Sequence, residues 1–457
     1  MPAEDVHVVV IGMGPGGEDV AMRLARAGLT VVGVERRLLG GECPYFACVP
    51  TKMMVRAAGA VEEGGRIDAL AGSAEIRPDW TAVATRIRVE ATDDWDDIVA
   101  VRRFEEAGGR FVRGTGRITA PGVVTVSTSD GDREFRASRG IVLNPGTDPA
   151  VPPIDGLADS PYWTNRNAVE AKQAPSSLIV LGGGPVGAEL TQVFNRFGAM
   201  TTVVEPGPCL LSREEPEASE LLAGVFRAEG IDVRTGSRAA WVRYEADEFT
   251  VGLDGGAELR AQQLLVATGR RIDLAALGIG AVGLDERART IEVDDRMRAA
   301  DGVWAIGDVT GKGAFTHVSM YQGRIAATDI LGADGQAADY RAVPRVTFTD
   351  PEIGTVGMTE REAREAGLTV RTSVTPLQAT SRGWIHKIGN EGLIKLVEDA
   401  DRGVLVGATS AGPAGGEVLG ALAVAVHGEV PTSALREMIY AYPTFHRAIE
   451  DALGRLA

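Results

Sequence analysis

The chain is short of cysteine, histidine, aromatic residues and positive charge. Its 457 residues include three cysteines and five histidines, and aromatic side chains make up 5 %. So few cysteines exclude a disulfide-stapled scaffold. The two that lie close together, Cys43 and Cys48, have no second Cys or His pair nearby, which argues against structural zinc; no metal site is expected. Lys and Arg number 47 against 63 Asp and Glu, a net charge of −16, and no basic run interrupts the acidic surplus. That balance speaks against nucleic acid as a partner. No apolar run reaches the length of a membrane span. The opening residues, Met1 to Asp5, are acidic and run straight into a strand pattern, so no signal peptide is expected and the reducing cytoplasm is the expected setting. The length suits about three domains.

Glycine, in contrast, is plentiful at 58 residues, and its placement is informative. His7–Ile11 reads as a buried parallel strand. It runs into Gly12-Met-Gly14-Pro-Gly-Gly17, a helical pattern from Glu18, and a second strand, Thr30–Glu35. Strand, GxGxxG, helix, strand and terminal acid is the full context of a dinucleotide-binding unit. The glycines permit a tight turn and bring a helix N-terminus against a pyrophosphate; the acid accepts hydrogen bonds from a ribose. The same unit recurs. Leu178–Leu181 leads into Gly182-Gly-Gly184-Pro-Val-Gly187, a helix through Glu189, and Thr201–Glu205. Glu35 follows Gly12 by 23 residues, and Glu205 follows Gly182 by the same 23. Two units imply two dinucleotides, or a dinucleotide and a flavin dinucleotide. Glu205 would repel a 2′-phosphate and no Arg follows it immediately, so NADH is expected over NADPH at the second unit.

Cys43 and Cys48 stand just downstream of the first unit, in Gly40-Gly-Glu-Cys-Pro-Tyr-Phe-Ala-Cys-Val-Pro-Thr-Lys52. Five positions apart on a regular helix is too far for an unstrained disulfide, so a bridge would need a distorted first turn. Strained, accessible disulfides are the reducible kind. Two cysteines that never pair are the alternative; the binding unit upstream favours a redox dithiol.

These segments are similar to those of the pyridine nucleotide–disulfide oxidoreductases, the family of dihydrolipoamide dehydrogenase, glutathione reductase and mercuric reductase. The resemblance covers nearly the whole chain. It also rests on Ala267-Thr-Gly-Arg270, Ala305-Ile-Gly-Asp308, Phe348–Gly354 and the tail around Pro443-Thr444. It implies an α/β fold: two Rossmann-like domains binding FAD and NAD(P), plus a C-terminal α+β dimerisation domain. The expected divisions are residues 1–150 (FAD domain, first part), 151–272 (NAD(P) domain), 273–342 (a central segment returning to the FAD domain) and 343–457 (interface). It also implies a homodimer without membrane or nucleic-acid partners. FAD would lie on Gly12, Gly14, Gly17 and Glu35, with Gly116, Gly146, Asp308 and His317 along its path and Lys52 near its reactive edge. NAD(H) would lie on Gly182, Gly184, Gly187 and Glu205, beside Gly269. The catalytic set would be Cys43 (exchange with substrate), Cys48 (thiolate facing the flavin), Lys52 paired with Glu189, and Tyr442.

Tyr442 marks a departure. The family's tail motif is His-Pro-Thr-x-x-Glu, whose His serves the partner subunit's exchange thiol. Here Tyr442 stands for the His and Arg447 for the Glu. A tyrosine, with a pKa of about 10, is a poor base near neutrality. His446 and Glu450, four apart, could form a displaced pair or a surface pair. Asn144-Pro145 replaces the usual Ala-Thr, and Pro44-Tyr-Phe-Ala47 makes the segment between the cysteines bulkier than usual. Trp80, Trp95, Asp93, Asp94, Asp96 and Asp97 read as ordinary core and solvated surface, and Cys209, His7, His386 and His427 as ordinary residues. The expected activity passes electrons from NADH through FAD to Cys43–Cys48 and on to a disulfide or related small acceptor. The alternatives are a reductase of quinones, small electrophiles or metal ions, and a flavin-holding protein without catalysis.

Overall fold

The computed structural model describes residues 3–456. The chain forms two compact units. One gathers residues up to Pro50 with Thr85–Pro149 and Arg270–Asp339; the other gathers Thr51–Ala84 with Ala150–Gly269 and everything from Tyr340 onward.

In the first unit an eight-stranded sheet carries five parallel strands in the order Val303–Ala305, Gly131–Leu143, Glu4–Ile11, Val31–Glu35, Arg110–Arg113. Alternation along the opening strand explains why it is central. Val9 and Ile11 join one buried cluster with Ile141, Leu143 and Ile118, while Val8 and Val10 join another with Leu24, Phe104 and Ile306. Both faces are covered, as parallel sheets require. Helix Pro15–Arg26 lies against helix Thr316–Ile330 at close range: a Cβ on Gly16 would stand 2.1 Å from the Ser319 hydroxyl.

The second unit holds three sheets. A parallel sheet runs Asp232–Thr235, Met200–Glu205, Ser177–Leu181, Gln263–Val266. A three-stranded antiparallel sheet, Ala239–Ala261, shares a core with it through Val204, Val251 and Leu264. The third is a five-stranded antiparallel sheet between Pro344 and Gly412, backed by helix Gly415–His427 through Leu419, Leu422 and Val426. On this sheet Ile394 and Leu396 enter the core, and Lys395, pointing the other way, is buried among Glu215, Glu217 and Glu360 at 2.9, 2.8 and 3.0 Å. Burial alone would lower the lysine's pKa; the three carboxylates overcome this and raise it.

The stretch from Val55 to Ala107, expected to be mainly helical, is less regular. Helices Cys48–Gly65, Trp80–Arg86 and Ile98–Glu106 are separated by the exposed segment Ala71–Asp79 and by a turn of π-helix, Ile87–Ala91. After that turn, Asp93, Asp94 and Trp95 adopt φ of 48°, 56° and 59° in succession. Left-handed backbone costs about 1–2 kcal/mol per non-glycine residue, so three in a row need strong fixing. Part of it comes from Asp97. Expected among solvated acids, it is instead buried, accepting the Leu39 N–H at 2.6 Å and the Arg113 guanidinium.

Candidate active site

The first glycine turn is shaped by what its residues would otherwise hit. Gly12 has φ +92°, and a Cβ there would lie 2.0 Å from the Asn144 carbonyl; one on Gly17 would lie 2.1 Å from the Gly12 carbonyl. Only glycine permits both. Asn144, unusual in sequence, ties this turn: its amide donates to the Gly12 carbonyl at 3.2 Å and accepts from the Ser319 hydroxyl at 3.1 Å. Gly14 begins helix Pro15–Arg26 without a side-chain cap, leaving the helix's first N–H groups to a ligand. Glu35 accepts the N–H of Met13 at 3.0 Å and of Arg37 at 2.8 Å. A cleft of about 220 Å³ opens here, lined by Gly12, Glu35, Gly116, Gly146, Thr147 and Arg271 among others. Uncapped helix end, glycine cradle and acid at the cleft fit the pyrophosphate and ribose of a dinucleotide.

Asp308 follows strand Val303–Ala305 in a single 3-10 turn, Gly307–Thr310, and accepts the Thr147 hydroxyl at 2.9 Å. Arg270 donates to Thr147, at its hydroxyl and its carbonyl, and to Glu42 at 3.2 Å. A hydrogen-bonded line thus runs from Asp308 to the residue before Cys43. Thr147 and Glu42 had no sequence signal of their own; Arg270 did, as the last residue of Ala267-Thr-Gly-Arg270. His317 stands in the first turn of helix Thr316–Ile330, stacked on Phe315 with centroids 5.3 Å apart.

The second glycine turn repeats the first. Gly182 has φ +109°, and a Cβ there would lie 2.4 Å from the Ala267 carbonyl; one on Gly187 would lie 1.9 Å from the Gly182 carbonyl. Gly184 starts helix Pro185–Arg196, again uncapped. Glu205 accepts Gly183 N–H at 2.7 Å and Gly207 N–H at 2.6 Å. Gly269 has φ +123° and accepts the Ala150 N–H. These residues fit a second dinucleotide by the same criteria.

The cysteine segment bends. Cys43 is half-buried within the short helix Glu42–Tyr45, and Cys48 is exposed at the start of helix Cys48–Gly65. Cys48 Sγ lies 3.4 Å from the Thr316 hydroxyl. Lys52 is one turn further along the helix. Its ammonium is 2.7 Å from the Glu189 carboxylate and 4.7 Å from the Phe348 ring. Glu189 is 4 % exposed, and its other oxygen accepts the Phe348 N–H at 2.9 Å. Lys52 and Glu189, 137 residues apart, are therefore brought together in a fully bonded pair.

In the tail, Tyr442 is 67 % exposed and lies under the Arg447 guanidinium, 5.3 Å from the ring centroid. Glu450 pairs with Arg447 at 3.1 Å, while the His446 ring lies 6.2 Å from that of Tyr440. The last helix starts only at Ala448, so His446 and Glu450 are not one turn apart on it.

The sequence profile of the pyridine nucleotide-disulphide oxidoreductases matches residues 6–323, and that of their dimerisation domain matches residues 343–453. A mercuric reductase of Acidithiobacillus ferrooxidans is 32 % identical over 455 residues, covering 98 % of this chain and 82 % of that protein. A dihydrolipoyl dehydrogenase of Haloferax volcanii is 32 % identical over 469 residues, covering 99 % and 97 %. Among solved structures, Mycobacterium tuberculosis LpdA superposes with a TM-score of 0.88 at 25 % identity, covering 99 % of this chain and all of that one. The Escherichia coli HOCl-induced flavoprotein disulfide reductase RclA gives 0.85 at 26 %, with the same coverage.

Proposed function

Because the chain belongs to the pyridine nucleotide-disulphide oxidoreductase family, FAD- and NAD(P)H-using enzymes, we propose that it passes electrons from NADH through FAD to Cys43–Cys48 and on to a disulfide or related small acceptor. FAD on the first glycine turn supplies the two-electron carrier between nicotinamide and sulfur. The observation that carries the reading is the bend at Cys43–Cys48, followed one helical turn later by a lysine whose ammonium is fixed by a buried carboxylate.

The protein's own groups divide the work. Residues four apart share a helix face, so Lys52 places positive charge on the face from which Cys48 starts, and such charge favours thiolate over thiol. Glu189 holds the ammonium in place, and the Phe348 N–H bond fixes Glu189 in turn. The Thr316 hydroxyl can donate to a Cys48 thiolate. Cys43 exchanges with the acceptor. Glu205, with each oxygen on a backbone N–H, repels a 2′-phosphate, which favours NADH. Residues 343–453 support a two-fold dimer in which Tyr442 serves the partner's cysteines as a hydrogen-bond donor. Among the described residues no helix is long and apolar enough to cross a membrane. A cytoplasmic location belongs to this reading, because that compartment keeps such a pair reducible.

Tyr442 favours a second reading. General-base help is typically worth about 10²–10⁴-fold, and a tyrosine supplies little of it near neutrality. An acceptor needing less proton transfer, such as a quinone, a small electrophile or a metal ion, would lose less. Mercuric reductases are among the relatives, although the tail here lacks a vicinal cysteine pair.

Anaerobic titration with NADH, following the visible spectrum of wild type and Cys48→Ser, tests the proposal. Two equivalents and a long-wavelength thiolate-to-flavin band in wild type, against one equivalent and no band in the variant, are expected. Identical one-equivalent titrations would remove the cysteines from the path and favour direct transfer from flavin to acceptor.

A further inference from the structure

Four residues separate Cys43 from Cys48, and two of them are the large aromatics Tyr45 and Phe46. One side chain from elsewhere in the chain holds both. Trp95 donates its indole N–H to the Tyr45 carbonyl at 3.2 Å, and its ring lies against Phe46, centroids 6.5 Å apart and planes 26° from parallel. The turn presenting Trp95 is the one with three successive left-handed residues, entered from the π-helical turn.

This mount is fixed at several points. The Thr92 hydroxyl donates to the Ile87 and Arg88 carbonyls, and the Asp94 N–H donates to the Arg88 carbonyl at 2.7 Å. Beyond Trp95, buried Asp97 ties the turn to Leu39 and Arg113. Left-handed side-chain-bearing residues persist only where their surroundings over-determine them, and π-turns recur at functional sites. Here both serve to aim one indole at the span between two cysteines. Tyr45 itself is buried; burial first, and the nearby Asp97 charge second, push its phenol up to about 12, so it remains neutral through the working range.

We propose that Trp95 is a positioning residue for the cysteine pair, anchoring the inter-cysteine segment at two points so that Cys43 and Cys48 are held where they close on each other. The proposal rests on the reading of these cysteines as the redox pair. Its physical basis is effective concentration: thiols on a fixed segment lose less chain freedom on closing than thiols on a loose one. Loosening the segment therefore moves the equilibrium toward the dithiol.

The test equilibrates flavin-loaded wild type, Trp95→Phe and Trp95→Ala anaerobically in dithiothreitol redox buffers, alkylates the free thiols, and counts them by mass. In each exchange one S–S bond breaks in the protein and one forms in the reagent. Two electrons and two protons pass from dithiothreitol to Cys43 and Cys48. Trp95→Ala should shift this equilibrium about tenfold toward the dithiol, a potential ~30 mV less negative. Trp95→Phe, keeping a ring but losing the N–H, should shift it about threefold. Variants that titrate with wild type overturn the proposal. If Trp95→Ala does not fold or hold flavin, Trp95→Phe decides alone: its threefold shift supports the proposal and its absence overturns it. Wild type that never bridges the two cysteines removes the redox-pair reading together with this one; wild type that bridges, with unaltered variants, removes this one only.

Discussion

The two glycine-turn units solve one problem with one backbone and then diverge. In each, the first glycine faces a carbonyl across the turn, the last faces the first glycine's own carbonyl, and the acid accepts N–H groups 22 residues upstream and 2 downstream. The helices that follow differ. Pro15–Arg26 packs through glycine, Gly16 on Ser319 and Gly323 close to the Gly16 carbonyl. Pro185–Arg196 instead buries a polar stripe, Glu189, Gln192 and Arg196. Glu189 holds Lys52; Gln192 bonds Glu229 and the Asp350 backbone; Arg196 pairs with Glu229 at 2.6 Å and Asp350 at 2.9 Å. The ligand-facing end is constrained by the backbone and stays constant. The far face answers to whatever packs on it.

Breaking the shared part should give the largest effects, and different ones in each unit. Gly17→Ala should yield protein without flavin, read from the visible spectrum. Gly187→Ala should keep its flavin but bind NADH at least about 100-fold more weakly, a loss of ~2.8 kcal/mol. Equal flavin loss in both would contradict the assignment of one cofactor to each turn. The divergent part comes next. Arg196→Met leaves Glu229 and Asp350 without their buried partner and should destabilise the fold by about 3 kcal/mol, measured by denaturant unfolding. Asp19→Ala, at an exposed i,i+4 pair with Arg23 on the first helix, should change it by under ~0.5 kcal/mol.

A pH effect of intermediate size is specific to the first unit. The Tyr45 phenol is raised to about 12 in the fold, by burial and by Asp97, and titrates near 10 when unfolded. The unfolded chain therefore releases this proton first as pH rises. The contribution is intact below pH 10 and is lost between pH 10 and about 12, amounting to roughly 2 kcal/mol. Tyr45→Phe should flatten that part of the stability–pH curve; an unchanged slope would place its origin elsewhere.

The contrast also explains what was legible in the sequence. Gly12, Gly17, Gly182, Gly187, Glu35 and Glu205 could be read because local geometry forces residue type and spacing together. The parallel sheets followed from their apolar strands. Glu189 and Lys52 were found through resemblance, since nothing local links residues 137 positions apart. Trp95 and Asp97 looked like ordinary core and surface, because their roles depend on a left-handed turn that no glycine announces. The buried ions around Lys395 were silent for the same reason: charge in a strand reads as solvent-facing until three carboxylates are folded around it.

The matching 22-residue span from acid to accepted N–H also bears on how this chain can change over generations. Between Met13 and Glu35, or Gly183 and Glu205, one inserted residue would rotate the helix by about 100° and carry the acid's strand out of step. Both intervals can drift in spelling but not in length. Insertions and deletions should instead collect in stretches such as Ala71–Asp79, exposed throughout and outside any helix or strand, where added chain disturbs no register.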